Sequence, residues 1–249
     1  MTRRRWIANT WTATTAALTG DQAAHLARVL RAEPGQIFDV VAGGFLHRAE
    51  ITSVSDDEVL FTLHEELESD TALPLHLLLA VFKFDHMEWT IEKATELGVS
   101  RITPILARRT EKHLAQAAAK RVDRWRRIVL EASKQSRRTT IPEVAEPLPL
   151  KLALEQDQSP TRILLSETEQ ALTLSAALED NKAGSPTSQS ADVGSYTTHA
   201  LAIGPEGGWT PEEMALFTQR HWIPVTLGPR ILRAETAAIA AIAIASVYL

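Results

Sequence analysis

Leu201-Ala-Ile-Gly-Pro-Glu-Gly-Gly-Trp-Thr-Pro-Glu-Glu213 and Val225-Thr-Leu-Gly-Pro-Arg-Ile-Leu-Arg-Ala-Glu-Thr236 are two neighbouring segments with one shared pattern. Each has a short apolar run that predicts a strand, then a loop rich in glycine and proline, then a helix start. Such loops present backbone N–H groups and positive helix ends to a ligand, and glycine permits close approach. The stretch therefore predicts an α/β domain whose two glycine loops form one binding site.

The helix after the first glycine loop has a clear start signal. Thr210 is a natural N-cap, Pro211 suits the first helical position, and Glu213 completes a capping box. The loop spacing differs from the dinucleotide fingerprint GxGxxG, so we do not expect an NAD site.

The composition indicates an ordinary soluble protein. The chain has 249 residues, of which 45% are apolar and 23% charged, enough for one large domain or two small ones. It has no cysteine, which excludes disulfides, a thiolate zinc site and a cysteine nucleophile. No signal peptide is visible and no run of about 18 apolar residues occurs, so we expect a cytoplasmic protein without a membrane contact. No metal site is predicted.

Charge is distributed unevenly along the chain, whose net charge is −5. The stretch from Arg101 to Arg138 has 12 Lys and Arg but 3 Asp and Glu, whereas Glu50 to Asp70 has 8 acidic residues and no basic one. The basic stretch includes a predicted long helix from Leu114 to Ser136. A charge run is usually a solvated face, but this excess of positive charge favours phosphate contact.

Hydrophobic periodicity divides the chain near residue 71. Residues 1–71 show short strand-like runs separated by turn signals, with one helix from Gly20 to Arg31 capped by Asp21, and they predict a small β-barrel. Residues 72–249 alternate strands with helices, which predicts an α/β sheet with crossovers. The polar segment from Asp180 to Thr198 is interpreted as a surface insertion.

Five ordered blocks of sequence resemble the RsmE family, the 16S ribosomal RNA (uracil-N3)-methyltransferases of the SPOUT class. Two of the blocks are the glycine loops. The others are Met87-Glu-Trp-Thr-Ile-Glu-Lys-Ala-Thr-Glu-Leu-Gly-Val99, Glu131-Ala-Ser-Lys-Gln-Ser-Arg-Arg138, and His25-Leu-Ala-Arg-Val-Leu-Arg31. The likeness covers nearly the whole chain.

This resemblance implies a PUA-like RNA-binding β-barrel over 1–71 and a SPOUT methyltransferase domain with a C-terminal trefoil knot over 72–249. It also implies S-adenosyl-L-methionine as cofactor and a homodimer formed through the methyltransferase domain. The implied substrate is one uridine near the 3′ end of 16S rRNA, methylated at N3. We expect the assembled small ribosomal subunit to be the substrate, because a small barrel and a helix offer limited base readout.

The expected cofactor-binding residues come from the two glycine loops and from the end of the strand before them. Backbone N–H groups of the second loop would bind the adenine, apolar side chains would wall it, and the first loop would allow close approach. The set comprises Leu165, Ser166, Gly204, Pro205, Gly207, Gly208, Leu227, Gly228, Ile231 and Leu232.

Arg233 and Glu235 are the expected catalytic residues, since the proton on uracil N3 must leave before that atom attacks. An ordinary capping or surface pair is the alternative. The expected RNA-binding residues are basic or polar groups on the barrel, at a strand end and in the block from Glu131 to Arg138. They are Arg5, Arg28, Arg31, Lys83, Gln135 and Arg138. Lys83 as a solvated strand end is about as plausible. His25 is interpreted as a packed core histidine in preference to a base contact.

Two other functions stay open at this point. A related SPOUT enzyme that methylates the ribose 2′-O would have the same pair of loops. An RNA-binding assembly factor without catalysis would keep the barrel and the basic helix, although the intact glycine loops and Arg233 argue against it. The helix from Glu235 to Leu249 is apolar almost all round and is expected to be buried, with the resemblance adding a dimer contact.

Overall fold

A computed structural model describes residues 5–68, 72–184 and 198–249, with the backbone alone for residues 181–184. The chain forms two compact units. The first comprises Met1–Ala72 together with Glu131–Ile141, and the second comprises Leu73–Leu130 together with Pro142–Leu249. The family-like block from Glu131 to Arg138 thus belongs to the first unit, which the sequence pattern did not indicate.

The first unit is built on a mixed six-stranded sheet in the order β1-β4-β5-β6-β3-β2. Its strands are β1 (Trp6–Ile7), β2 (Thr10–Trp11), β3 (Thr15–Thr19), β4 (Ile37–Ala42), β5 (Phe45–Val54) and β6 (Glu58–Leu67). The short connection between β1 and β2 joins the two ends of the sheet, because the Ala8 N–H donates to the Val41 carbonyl at 2.8 Å and the Asn9 N–H to the Ala17 carbonyl at 2.9 Å. Alternating apolar side chains fill the interior, including Leu18, Val40 and Phe61.

The helical segment of the first unit differs from the expected single helix. An α-helix, α1 (Asp21–Ala24), continues as a π-helix over His25–Val29. The prediction that Asp21 caps it is wrong, since Gly20 is the N-cap and no side chain bonds there. His25 is half-buried, and its ring centroid lies 5.7 Å from that of Trp6.

The second unit contains a parallel seven-stranded sheet. Six strands follow the order β10-β8-β7-β12-β11-β13, and β9 pairs with β8. The strands are β7 (Leu73–Ala80), β8 (Val99–Leu106), β9 (Glu143–Val144), β10 (Leu148–Pro149), β11 (Thr161–Leu165), β12 (His199–Ile203) and β13 (Ile223–Val225). The continuous apolar run from Leu73 is confirmed as a central strand, because a strand buried on both faces needs no polar alternation.

Helices cover both faces of this sheet. They are α2 (Phe84–Glu96), α3 (Lys112–Ala117), α4 (Val122–Gln135), α5 (Leu150–Gln156), α6 (Leu174–Gly184), α7 (Pro211–Gln219) and α8 (Ala234–Tyr248). Leu77 and Leu79 of β7 point into the core formed with α2, α4, α6 and α8, whereas Leu78 points into the core formed with α5 and α7. The unit therefore has three layers, as expected of an α/β domain.

The basic stretch does not form one continuous helix. A 3₁₀ segment, Ala118–Arg121, separates α3 from α4. Three arginines of the basic stretch are paired with carboxylates: Arg121 and Arg124 with Glu88 at 3.4 and 2.7 Å, and Arg126 with Glu146 at 2.9 Å. These three positive charges are therefore paired within the second unit.

A buried network of hydrogen bonds connects polar side chains inside the second unit. The carboxylate of Asp157 accepts from His76 Nδ1 at 3.0 Å, from Ser159 Oγ at 2.9 Å and from Arg162 Nε at 3.2 Å, and His76 Nε2 lies 2.8 Å from Thr103 Oγ1. Burial raises the pKa of Asp157, but the bonds and charges of His76, Ser159 and Arg162 outweigh it and leave that pKa below its ordinary value.

No helix among the residues that the structure describes is long and apolar enough to cross a membrane.

Candidate functional site

A cavity of about 850 Å³ opens at the carboxyl ends of β11, β12 and β13. Three loops line it, and each follows one of these strands. Ligands of open parallel sheets bind at this edge, where backbone groups and helix starts converge. The lining residues are Leu165–Gln170, Thr173, Ile203–Glu206, Gly208, Trp209, Met214, Val225–Ala234 and Ala237.

The first glycine loop is shaped by a tight turn and by a hydrogen bond from Arg109. The Gly208 N–H closes a turn on the Pro205 carbonyl at 2.8 Å, and Gly208 has a left-handed φ of 67°. A Cβ on Gly208 would lie 2.7 Å from Glu167 Oε1. Arg109 donates to the Gly207 carbonyl. The left-handed φ therefore favours glycine at 208, and a larger residue would also have to displace the end of the Glu167 side chain.

The helix after this loop begins as predicted. Thr210 is the N-cap of α7, its Oγ1 accepts from the Glu213 N–H at 3.3 Å, and the Glu213 carboxylate accepts from the Thr210 N–H at 2.9 Å. The same carboxylate also accepts from the Arg108 N–H at 2.8 Å. The capping box is thus confirmed, and it also ties α7 to the segment after β8.

The second glycine loop presents unpaired backbone donors. Gly228 has a φ of 114°, and Thr226 Oγ1 bonds both its N–H and its carbonyl at 3.1 Å. Within residues 5–68, 72–184 and 198–249, the N–H groups of Arg230, Ile231 and Leu232 make no backbone hydrogen bond. Ile231 is 86% exposed. Unpaired amides beside apolar side chains form a surface that can bind a flat, nitrogen-rich ring.

The walls of the cavity carry charges of both signs. Three carboxylates line it, those of Glu167, Glu169 and Glu206, together with two guanidinium groups, those of Arg230 and Arg233. Glu169 is held by the N–H groups of Leu172 at 3.0 Å and Ala171 at 2.7 Å, which lower its pKa. The cavity can therefore accept a ligand that carries both positive and negative groups.

The two expected catalytic residues point in different directions. Arg233 is exposed, lines the cavity and is the N-cap of α8. The side chain of Glu235 is 8% exposed and is absent from the cavity lining; it faces α2, where His86 Nδ1 lies 2.9 Å from Glu235 Oε1. Only Arg233 is therefore in a position to touch a ligand in this cavity.

Nine of the ten expected cofactor residues line the cavity. The exception is Gly207, whose missing side chain makes room for the Arg109 methylenes, since a Cβ there would lie 3.2 Å from Arg109 Cδ. Gly204 likewise makes room for the Trp209 indole at 3.2 Å. These two glycines therefore make room for neighbouring side chains, and Gly204 lines the cavity as Gly208 does.

The sequence matches the RNA methyltransferase domain family over residues 69–246 and the RNA methyltransferase PUA domain family over residues 18–63. It is 35% identical to Ribosomal RNA small subunit methyltransferase E of Synechocystis sp., over 92% of this chain and 72% of that protein. The protein of the same name from Bacillus subtilis is 33% identical, over 90% of this chain and 87% of that protein. The chain belongs to the ribosomal RNA small subunit methyltransferase E family. The family resemblance predicted from the sequence is confirmed.

A solved structure of this family has the same fold. The crystal structure of a Ribosomal RNA small subunit methyltransferase E from Neisseria gonorrhoeae, bound to S-adenosyl methionine, matches with a TM-score of 0.77 at 30% identity. The match covers 97% of this chain and 95% of that chain. The predicted fold, a PUA domain followed by an α/β methyltransferase domain, is therefore confirmed for this family member.

Most of the RNA-binding residues predicted for this family member lie in the first unit. Arg5 donates to the Arg137 carbonyl, and Arg28 pairs with Asp56 at 2.8 Å. Arg31 is exposed with a φ of 49°, and Gln135 is exposed at the end of α4.

Arg138 and Lys83 have different surroundings. Arg138 is half-buried and donates to the Thr140 carbonyl at 3.1 Å, and burial lowers its pKa to about 10, so it stays charged at neutral pH. Lys83 belongs to the second unit, where it is exposed and is the N-cap of α2.

Sequence reasoning missed several residues around the cavity. His86 and Arg109 carry no local motif, and only their partners in space, Glu235 and Gly207, reveal them. Glu206 and Trp209 stand within or beside the first glycine loop and could have been named from it.

Proposed function

We propose that this protein transfers a methyl group from S-adenosylmethionine to N3 of one uridine near the 3′ end of 16S rRNA. The observation that carries the proposal is the convergence of both glycine loops and the end of β11 on one cavity of suitable size. The Neisseria gonorrhoeae relative, whose structure contains S-adenosyl methionine, supports the same cofactor here.

The residues of the cavity suit this cofactor. The N–H groups of residues 230–232, which make no backbone hydrogen bond among the described residues, would bind the adenine, with Leu227 and Leu232 as apolar walls. The turn at Gly208 would leave room for the ligand beside it, and Leu165 and Ser166 would form the third wall. When bound, S-adenosylmethionine supplies a methyl group on a positively charged sulfur, which a nucleophile displaces directly.

Arg233 would provide the main chemical assistance. A water molecule would accept the proton from uracil N3, which leaves a negative charge on the base, and a guanidinium at the cavity wall lowers the free energy of that anion. The N3–carbon bond then forms as the sulfur–carbon bond breaks, so the enzyme contributes alignment and electrostatic stabilisation.

We propose that RNA is bound by Arg5, Arg28, Arg31, Gln135 and Arg138 of the first unit and by Lys83 beside the methyltransferase cavity. Assembled small subunits would be the preferred substrate, and the cytoplasm the compartment. Such contacts to phosphates position the RNA, while the cavity selects the base.

A homodimer through the methyltransferase domain is also proposed, and with it the trefoil knot of the class. Support comes from α8, an apolar helix whose residues Ala243 and Val247 are nevertheless exposed, Val247 by 76%. Trp89 of the adjoining helix α2 is 48% exposed. An apolar helix surface left open to water is typical of a subunit interface.

Methylation of purified small subunits tests the proposal. The protein is incubated with S-adenosylmethionine and either subunits or naked 16S rRNA, and the nucleosides are separated by mass spectrometry. We expect N3-methyluridine, formed faster on subunits. Ribose 2′-O-methylation would favour the related SPOUT activity, and RNA binding without any methyl transfer would favour an assembly factor.

The dimer has its own test. Val247→Glu should convert a dimer to a monomer in sedimentation equilibrium, because a charge in an apolar interface is costly. Leu152→Glu is the matched control, since Leu152 is 44% exposed on α5. A wild-type protein that sediments as a monomer would contradict the dimer.

A further inference from the structure

The first turn of α2 contacts the start of α8 through one buried carboxylate. His86, in the third position of α2, donates from Nδ1 to Glu235 Oε1 at 2.9 Å. Glu235 is the only charged residue of α8 and lies in its first turn. A carboxylate there is favoured by the helix dipole, but its burial needs a hydrogen-bond donor. His86 is that donor.

The other side of α2 is held firmly. The Phe84 ring packs 6.2 Å from Trp125 and carries the Arg121 guanidinium 4.6 Å above its centroid. One turn further on, Glu88 is bonded by Arg121 and Arg124. The arginines that the sequence offered as phosphate ligands thus anchor α2 on α4. A helix fixed in this way can hold the elements that bond to it.

The position of α8 determines the position of Arg233. Arg233 is the N-cap of α8, and its carbonyl accepts the N–H of Ala237 at 2.8 Å. Both residues line the cavity, whereas Glu235 between them does not. Displacing the first turn of α8 would therefore move the guanidinium of Arg233 and the end of the second glycine loop. The start of α2 also reaches the first glycine loop, since the Lys83 N–H lies 3.4 Å from Glu206 Oε1.

From this geometry we infer that His86 is a positioning residue that holds Glu235 and, through it, the Arg233 end of the cavity. The inference rests on the proposed function in taking the cavity as the S-adenosylmethionine site. It changes the role of Glu235, which acts on the position of Arg233 and not on the uracil. A direct role as proton acceptor would require a carboxylate that reaches the cavity.

Three variants test the inference. His86→Leu removes the donor at similar volume, His86→Asn keeps an N–H donor near the Nδ1 position, and Glu235→Gln removes the charge of the acceptor. The control is His64→Leu, because His64 faces Glu50 at 3.3 Å in a similar but exposed pair on the barrel. Each protein is checked for folding by thermal melting before use.

Two measurements are made on each variant. Calorimetry gives the S-adenosylmethionine affinity, and single-turnover methylation gives the rate per folded enzyme. We expect His86→Leu and Glu235→Gln to weaken cofactor binding roughly tenfold, the size of one lost charge-assisted hydrogen bond. The methylation rate of these two variants should fall as well. The affinities and rates of His86→Asn and His64→Leu should stay near those of the wild type. The double variant His86→Leu/Glu235→Gln should be no worse than either single one.

Hydrogen exchange on the protein without cofactor gives an independent readout. The amide of Ala237, which bonds to the Arg233 carbonyl, should exchange faster in His86→Leu and at the wild-type rate in His86→Asn. Unchanged exchange at Ala237 in His86→Leu, or equal losses in the leucine and asparagine variants, would overturn the inference. A wild-type protein that binds no S-adenosylmethionine would overturn the proposed function instead, and the exchange experiment would still decide the role of His86.

Discussion

Gly208→Ala is the substitution that most directly connects the shape of the first glycine loop with cofactor binding. Gly208 has a φ of 67°, where a residue with a Cβ is strained, and the added Cβ would lie 2.7 Å from Glu167 Oε1. The left-handed conformation costs an alanine about 1–2 kcal/mol. The clash adds less, because an exposed glutamate can rotate away.

This backbone strain should appear largely as a lower affinity for S-adenosylmethionine. Without a ligand the loop of Gly208→Ala can relax toward a negative φ, so cofactor binding must restore the strained shape. The S-adenosylmethionine dissociation constant should then rise roughly 5- to 30-fold in calorimetry. Gly208→Ala/Glu167→Ala removes the clash but not the strain, and it should recover only a small part of the loss.

A matched control separates strain from location. Gly44 has a φ of 89° in the turn between β4 and β5, and a Cβ there would meet nothing within 4 Å. Gly44→Ala should lower the unfolding free energy by about 1–2 kcal/mol, the cost of a left-handed alanine, and should leave the S-adenosylmethionine affinity unchanged. If Gly208→Ala bound the cofactor as tightly as the wild type, the loop would not be part of the site and the reasoning would be refuted.

Three further substitutions test other parts of the account. Arg233→Gln should lower the methylation rate roughly 100-fold, as expected for loss of one electrostatic stabiliser, with little change in cofactor affinity. Asp157→Asn should lower the urea unfolding free energy by about 3 kcal/mol, because it breaks a buried charge network. Since the folded-state pKa of Asp157 is depressed, this difference should be full above pH ~4 and shrink as the pH falls through the folded-state pKa. Arg138→Ala should weaken RNA binding and reduce its salt slope by about one phosphate contact.

The predictions for Asp157 and Arg138 each have a control and a contrary outcome. Asp123→Asn changes a 94% exposed carboxylate and should leave stability unchanged. Lys151→Ala removes an exposed charge on α5 and should leave the salt slope unchanged. A difference between Asp157→Asn and wild type that grows on acidification would reverse the sign of the linkage. An unchanged salt slope would assign Arg138 to the loop that ends at Thr140 and not to RNA.

The sequence was informative wherever local chemistry decides the structure. Thr210, Pro211 and Glu213 specify the start of α7 by capping alone, and the structure has both bonds of the box. The apolar run from Leu73 specifies a central parallel strand. Since parallel strands place their carboxyl ends at one edge, the two glycine loops had to converge.

The sequence was uninformative where the contacts of a side chain are made with residues that are distant in the chain. Glu235 is two residues from Arg233, and this spacing predicts a joint role, but helix geometry turns Glu235 toward His86, 149 residues away in sequence. The basic stretch predicts one helix that faces phosphates, whereas two of its arginines pair with Glu88. Periodicity likewise could not indicate the 3₁₀ segment at Ala118–Arg121.

The most direct test of the central claim is a crystal structure of the protein soaked with S-adenosylmethionine. The account predicts the adenine against the N–H groups of residues 230–232 and the methyl group facing the open side of the cavity beside Arg233. Density for the cofactor elsewhere, or a cavity that stays empty at saturating concentration, would contradict it.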